Sequence, residues 1–442
     1  MAEITVQQVR EAGVVGAGGA GFPTHVKLSA RADTVIVNAA ECEPLLHKDK
    51  ETLRRWPGEV VAGLAAAMRL TGAARGFIGI KEKYTDVIEL LRPLLKSGMK
   101  IAPLVDAYPA GDEFILTYDV TGRVIPPGGI PIHVGVVTIN VETALNIAAA
   151  ADGPVVVKQI AVAGAVARPS TLRVPVGMPL RSCVEAAGGP MVSDPQYLVG
   201  GVMMGRLEED PGAVVTKTTG GVIVLPAGHV VVRRYRRDWK SMVRIGRSAC
   251  DQCSFCTELC PRYLLGHPIE PHRTMRSLMF NLAGEVNVRG SPFCCECNLC
   301  SLWSCPEDLD PRGVCAENKK RLATMGARWD SPPFNPDRPG IHLANRKVPI
   351  RKLMLRLGLT GFQNVGPLVE KVLPAARVGI ALKQHVGAPC EPAVSVGQSV
   401  QVGDVVGRPP MKDGTPALGA PVHASISGKV TAIEDGIVWI ES

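Results

Sequence analysis

The chain has 442 residues, enough for three or four domains of ordinary size. Its 46% hydrophobic and 20% charged content excludes a disordered or fibrous protein, and a net charge of +8 is mild enough that no nucleic-acid partner is demanded. No apolar run approaches the roughly 20 residues of a membrane helix, the longest being 60–68 and 143–151, and the N-terminus lacks a signal-peptide pattern. The expected location is therefore the cytoplasm, where the thirteen cysteines favour metal binding or catalysis over disulfides.

Over 1–152 short apolar runs alternate with helical patterns. Strands are predicted over 34–37, 76–80 and 100–106 and helices over 58–70 and 85–95, which implies an α/β domain with a mostly parallel sheet. From 153 to 230 the pattern changes to strands at 158–166, 196–203 and 221–225, with a short helix over 180–187 stopped by Gly188-Gly189; this is a small α+β domain. A basic run over 233–240, expected to be solvent-facing, leads into a cysteine-rich domain at 240–325. Residues 326–374 are predicted as a linker, rich in proline over 329–340, with a mostly helical stretch over 351–371. An all-β module follows over 375–442, with strands at 393–396, 400–406, 421–423 and 428–438.

Nine cysteines fall between Cys250 and Cys305. Cys250-x2-Cys253-x2-Cys256-x3-Cys260-Pro261 has the spacing of bacterial ferredoxins, in which three thiolates wrap one cubane and the fourth reaches another. Cys294-x2-Cys297-x2-Cys300-x4-Cys305-Pro306 repeats it with one extra residue. Crossed ligation assigns Cys250, Cys253, Cys256 and Cys305 to one [4Fe-4S] cluster and Cys260, Cys294, Cys297 and Cys300 to the other. Structural zinc is the competing reading, although zinc sites ordinarily use two distant CxxC pairs. Cys295 is spare, and is expected to pack near the second cluster. His267 and His272, between the motifs, are expected to be structural because eight cysteines already complete two cubes.

Five glycines crowd the nine residues from Gly13 to Gly21, which would let backbone N–H groups approach a phosphate or a planar ring. Residues 16–24 resemble the GxGGAGFPT loop of the flavin-carrying, NADH-oxidising subunit of respiratory complex I. The segments around Glu41-Cys42-Glu43-Pro44 with Lys48-Asp49, Tyr108 to Glu113, and Asn140 to Thr143 resemble that family's other flavin-site motifs, with Ala40 and Ile139 departing from its pattern. The resemblance implies FMN and NADH. It would set Gly16, Gly18, Lys27, Asn38, Tyr108, Gly111 and Asn140 around the phosphate side of the flavin, with Phe22, Glu41, Glu43 and Glu113 near its ring or the nicotinamide.

The whole chain resembles the RnfC proteins of Rnf-type electron-transport complexes. That likeness implies a β-grasp (SLBB) domain after the flavin domain, a helical two-cluster ferredoxin-like segment and a C-terminal barrel-sandwich module. RnfC proteins carry the last module at the N-terminus. Its C-terminal position, and the text Cys294-Cys-Glu-Cys-Asn-Leu-Cys300, are similar to the cobalamin reductases of propanediol-utilising bacterial microcompartments. Those relatives imply NADH-driven reduction of cobalamin. They also imply a corrinoid adenosyltransferase and microcompartment shell or enzyme proteins as partners, and a place inside the microcompartment. An electron-input component of an Rnf-type complex, or a non-catalytic carrier or scaffold, are the alternatives.

Overall fold

The computed structural model describes residues 3–442 apart from 211, 281–286, 330, 331, 338, 340 and 413, together with the side chains of 279, 280 and 341. The Pro-rich stretch 329–340 thus lies partly outside the described residues. Four parallel strands, β1 (Thr34–Ala39), β2 (Arg75–Lys81), β3 (Met99–Leu104) and β4 (Val136–Asn140), form the first sheet in the order β3-β2-β1-β4. The chain steps outward from β1 to β3 and then returns to the other side of β1. The gap between the carboxyl ends of β1 and β4 is therefore a topological switch point, where open α/β sheets bind ligands.

One face of this sheet is covered by the helices Pro57–Thr71 and Val141–Ala148. The first starts with Pro57 at its first turn and stops at Gly72, whose φ of 76° only glycine adopts readily. The two helices touch through backbone: a Cβ on Gly63 would lie 1.9 Å from the Ala144 carbonyl oxygen. Glycine is needed there for close approach.

The second sheet has six strands in the order Leu368–Val372, Ser170–Pro175, Val157–Gly164, Gly221–Pro226, Pro195–Val199 and Arg206–Glu208. Its first member corrects the helical expectation for 351–371. Only Ile350–Arg356 is helical, and Leu368–Val372 pairs in parallel with Ser170–Pro175. Val369 and Val372 are β-branched and can join an exposed sheet edge, which a helix-length apolar count does not reveal.

The C-terminal module packs a four-stranded sheet (Arg377–Ala381, Ile437–Glu441, Gly428–Glu434, Ser399–Val400) against a three-stranded one (Glu391–Pro392, Val405–Arg408, Val422–His423), around Val378, Ile380, Val406, Val422, Val438 and Ile440. The predicted strand over 428–438 is a hairpin, because Asp435 and Gly436 both take positive φ. No strand forms over 393–396, and 400–406 is split by the turn at Val402-Gly403. Among the described residues no helix is long and apolar enough to cross a membrane.

Candidate functional site

The glycine loop lies over the switch point. Residues 18–20 are exposed, a Cβ on Gly18 would rest 3.4 Å from the Asn140 Cβ, and open space lies above Gly19. The loop base is fixed by Gly16 N–H donating to the Phe22 carbonyl at 3.0 Å and Ala17 N–H donating to the Thr143 hydroxyl at 2.9 Å. Asn38, next to last in β1, and Asn140, the last residue of β4, lie beneath. Asn38 donates to the Gly111 carbonyl at 2.8 Å, while Asn140 donates to Asp49 at 2.7 Å and caps the helix Val141–Ala148 through Glu142 N–H. Lys27, partly exposed at the rim, donates to Glu113 at 3.1 Å and to the Thr138 carbonyl at 3.0 Å. An open, glycine-lined cradle with a lysine and two asparagines has the chemistry to take a phosphate and a planar ring.

Beneath it lies a buried charge cluster. Lys48 pairs with Asp49 at 2.6 Å and Glu142 at 3.2 Å, and Glu142 also pairs with Lys158 and accepts from Gln159 N–H at 2.8 Å. Burial opposes the Lys48 ammonium, but Asp49 and Glu142 outweigh it and raise its pKa. Lys158 is pushed down to about 8, burial prevailing over Glu142. Lys158 belongs to the second sheet, so this network joins the two domains. Sequence motifs pointed to Lys48 and Asp49, but nothing local marked Lys158 as their partner.

Two expected flavin contacts turn elsewhere. The Glu43 carboxylate accepts from Met203 N–H at 2.8 Å and Met204 N–H at 2.7 Å, in a loop of the second domain. Burial lifts its pKa to about 8. Tyr108 is 1% exposed, and its hydroxyl donates to the Cys297 carbonyl at 2.7 Å, so it faces the cluster segment rather than the phosphate side. Glu41 is turned inward beside them, its carboxylate accepting from Glu43 N–H at 2.9 Å; burial and the nearby Asp49 raise its pKa. Gly111 is required for closeness, since a Cβ there would meet the Ala40 carbonyl at 2.8 Å.

Both cysteine loops curl in the same way. Gln252 and Ser254 flank Cys253 with positive φ, and Glu296 and Asn298 flank Cys297 with positive φ. Such left-handed turns wrap a loop around a common centre and turn N–H groups inward. Glu296 N–H meets the Cys294 sulfur at 3.4 Å, and Leu309 N–H meets the Cys305 sulfur at 3.3 Å. The extra residue of the second motif is absorbed in a π-helical turn, Cys300–Ser304, where the first motif has the α-helical turn Phe255–Glu258.

The thiols fall into two groups. Cys260, Cys294, Cys295, Cys297 and Cys300 line one cavity, and Cys250, Cys253, Cys256 and Cys305 lie outside its lining. Among the described residues no three His, Cys, Asp or Glu side chains converge tightly enough for a single metal ion. Thiols spread around a cavity suit a cubane's four irons. His267 instead bonds the Ile125 carbonyl at 2.8 Å and His272 the Thr257 hydroxyl at 2.7 Å.

The flavin-side domain and the second cysteine group meet directly. Arg262, two residues after Cys260, makes a bidentate pair with Asp112 at 2.6 and 2.9 Å and stacks on Phe114 with its guanidinium carbon 3.9 Å from the ring centre. In the basic run, Arg234 pairs with Asp308 just beyond Cys305, so this arginine braces the cluster segment and is not free in solvent.

Residues 9–149 match the Nuo51 FMN-binding domain, 159–207 the SLBB domain, 249–310 the 4Fe-4S dicluster domain and 366–441 the RnfC barrel sandwich hybrid domain. Cobalamin reductase PduS of Salmonella typhimurium is 42% identical over 98% of the chain and 95% of that protein. Its counterpart in Citrobacter freundii is 41% identical over the same shares. The RnfC-type component of the Na(+)-translocating ferredoxin:NAD(+) oxidoreductase complex of Acetobacterium woodii is 34% identical over 60% of the chain and 59% of its own length.

Proposed function

The chain belongs to the cobalamin reductase PduS family, and on that premise we propose that it is an NADH-dependent reductase delivering electrons to a corrinoid. The product is cob(I)alamin, the form from which a corrinoid adenosyltransferase regenerates adenosylcobalamin. The adenosyltransferase and the shell or enzyme proteins of a bacterial microcompartment are the proposed partners, and the microcompartment the proposed location.

When bound, FMN supplies the conversion of a two-electron hydride into single electrons, and the [4Fe-4S] clusters supply one-electron sites. The chain's own residues hold and connect these groups. Gly16, Gly18, Asn38, Gly111 and Asn140 form the cradle, with Lys27 and Glu113 at its rim and Phe22 at the loop's exit. Glu41 borders the floor and is not required to transfer a proton, since hydride donation to a flavin needs no general acid from the protein. Cys260, Cys294, Cys297 and Cys300 would hold the cluster nearer the flavin; Cys250, Cys253, Cys256 and Cys305 would hold the farther one. Glu43 and Tyr108 tie the cradle's edge to the second domain and to the cluster loop, keeping the route short and dry.

The observation that carries this reading is the Tyr108 to Cys297 contact, because it joins the flavin-side domain to a cysteine loop through one side chain. Anaerobic assay with NADH and cobalamin, with and without an adenosyltransferase, tests it. Formation of cob(I)alamin or the adenosylated product is expected. Oxidation of NADH with an artificial acceptor but never with a corrinoid would reject the substrate and leave the redox class standing.

A further inference from the structure

The glycine loop from Gly13 to Gly21 is open only at its middle. Residues 18–20 are exposed, but Gly13 and Gly21 at its two ends are buried. At the first end the Lys217 ammonium, from the second domain, donates to the Gly13 carbonyl at 2.8 Å and to the Pro421 carbonyl at 3.0 Å. At the other end Val386 N–H, from the C-terminal module, donates to the Gly21 carbonyl at 2.9 Å. A Cβ on Gly21 would lie 2.7 Å from the Thr218 methyl and 3.3 Å from the His385 Cα, so both domains close on this point. The two anchors are also tied to each other. The Gln384 side chain accepts from Lys217 N–H at 2.8 Å and donates to the Ala381 carbonyl at 2.9 Å.

A loop with five glycines in nine residues loses more freedom on ordering than any other composition would, and Gly13, Gly19 and Gly21 take φ of 65°, 111° and 68°. A loop ordered before its ligand arrives binds more tightly, because the ordering cost no longer subtracts from affinity. We propose that Lys217 and Val386 are positioning residues for the flavin. They clamp the two ends of the glycine loop, so the second domain and the C-terminal module set flavin affinity through the loop's backbone. The module at the far end of the chain thereby becomes part of the redox site.

The inference rests on the flavin reading of the loop, and two readouts separate them. Full-length protein is stripped of flavin without oxygen. FMN affinity is then measured by fluorescence titration, and hydrogen exchange over 13–24 is followed in the flavin-free form. Val386→Pro removes the N–H donor to Gly21, whereas Val386→Ala keeps it and trims a side chain that is 44% exposed. Lys217→Met removes the donor to Gly13. Val406→Ala, in the core of the C-terminal module, reports general loosening of that module. Val386→Pro and Lys217→Met should each weaken FMN binding about tenfold or more and speed exchange in the loop, while Val386→Ala stays within about threefold of the parent. Val406→Ala should lower the melting midpoint and keep the parent's FMN affinity. Retained cluster iron shows that each variant is folded. Parent-like FMN affinity in either Val386→Pro or Lys217→Met overturns the proposal. So does an equal loss in Val406→Ala or Val386→Ala, since module stability or the Val386 side chain would then decide affinity. A parent that binds no FMN, while Val386→Pro still speeds loop exchange, would bring down the flavin reading and reduce the clamp to a structural feature.

Discussion

The Tyr108 hydroxyl lies 2.7 Å from the backbone carbonyl of Cys297, so the segment that follows the first sheet's edge strand is bonded to a cysteine of the second motif. Tyr108 is one of the largest fully buried side chains in the protein, and a short strand, Ala107–Tyr108, pairs it with Val348–Pro349. Tyr108→Phe keeps the ring and removes the donor, leaving a buried carbonyl without this partner. The expected cost is about 1–3 kcal/mol, read from urea unfolding of the holoprotein, with slower reduction of the clusters by NADH in stopped-flow absorbance. An unaltered cluster reduction rate would show that this contact is structural only.

Gly18 tests the cradle without disturbing the core, because the loop is exposed and its nearest neighbour is Asn140. Gly18→Val places a branched side chain where a ring or phosphate would sit. Flavin affinity should drop at least about tenfold, about 1.4 kcal/mol, while the melting midpoint of flavin-free protein hardly changes. Flavin retention on gel filtration and fluorescence titration measure the two sides.

Asp112 and Arg262 have side chains only 9% and 8% exposed, and Asp112 also caps the helix Glu113–Thr121 through Phe114 and Ile115 N–H. Asp112→Ala strands a buried guanidinium and should cost about 3–5 kcal/mol. Arg262→Leu in that background should recover part of the loss. The Arg262→Leu single variant should lower the potential of the nearer cluster, since a positive charge that favours the reduced state is gone; redox titration followed by paramagnetic resonance reports it.

Lys217 gives the pH dependence. Its ammonium is buried where three domains meet and donates to the Gly13 carbonyl at 2.8 Å and the Pro421 carbonyl at 3.0 Å. Burial lowers its pKa from 10.5 to about 7. The folded protein therefore binds this proton less tightly than the unfolded chain, and the penalty is complete below about pH 7 and fades as pH rises toward 10.5. The neutral amine still has two N–H donors for two carbonyls. Stability should rise between pH 7 and 10, and Lys217→Met should flatten that rise relative to the parent in thermal melts across the range. His385 and His423 face the same junction with pKa values lowered mainly by burial, so they act below this window. Within it Lys158, held near 8, adds to the rise and Cys390, pushed up to about 11, opposes it, but both are present in parent and variant, so the difference between the two melts reports Lys217.

Much of the parallel sheet was legible because each strand and helix in 34–104 is a local apolar pattern bounded by turns. The observed strands Thr34–Ala39, Arg75–Lys81 and Met99–Leu104 lie on the predicted ones to within two residues. The strand Leu368–Val372 was not legible, since its partner Ser170–Pro175 lies almost two hundred residues away and supplies the edge it joins. The same distinction holds in the site. Motif text pointed to Glu43 and Tyr108, but their hydrogen bonds run to Met203, Met204 and Cys297 in other domains.

Taken alone, the amino-acid order determined the chemistry: thiols at ferredoxin spacing and a loop rich in glycine. Ligand type and local curvature depend on residues a few positions apart, so they are written in the chain. Which thiols share a cavity, where Cys295 and Arg262 stand relative to it, and how Lys48 finds Lys158 were decided only by tertiary structure. Those relations join segments tens to hundreds of residues apart, and burial of the domains against one another is what brings them into contact.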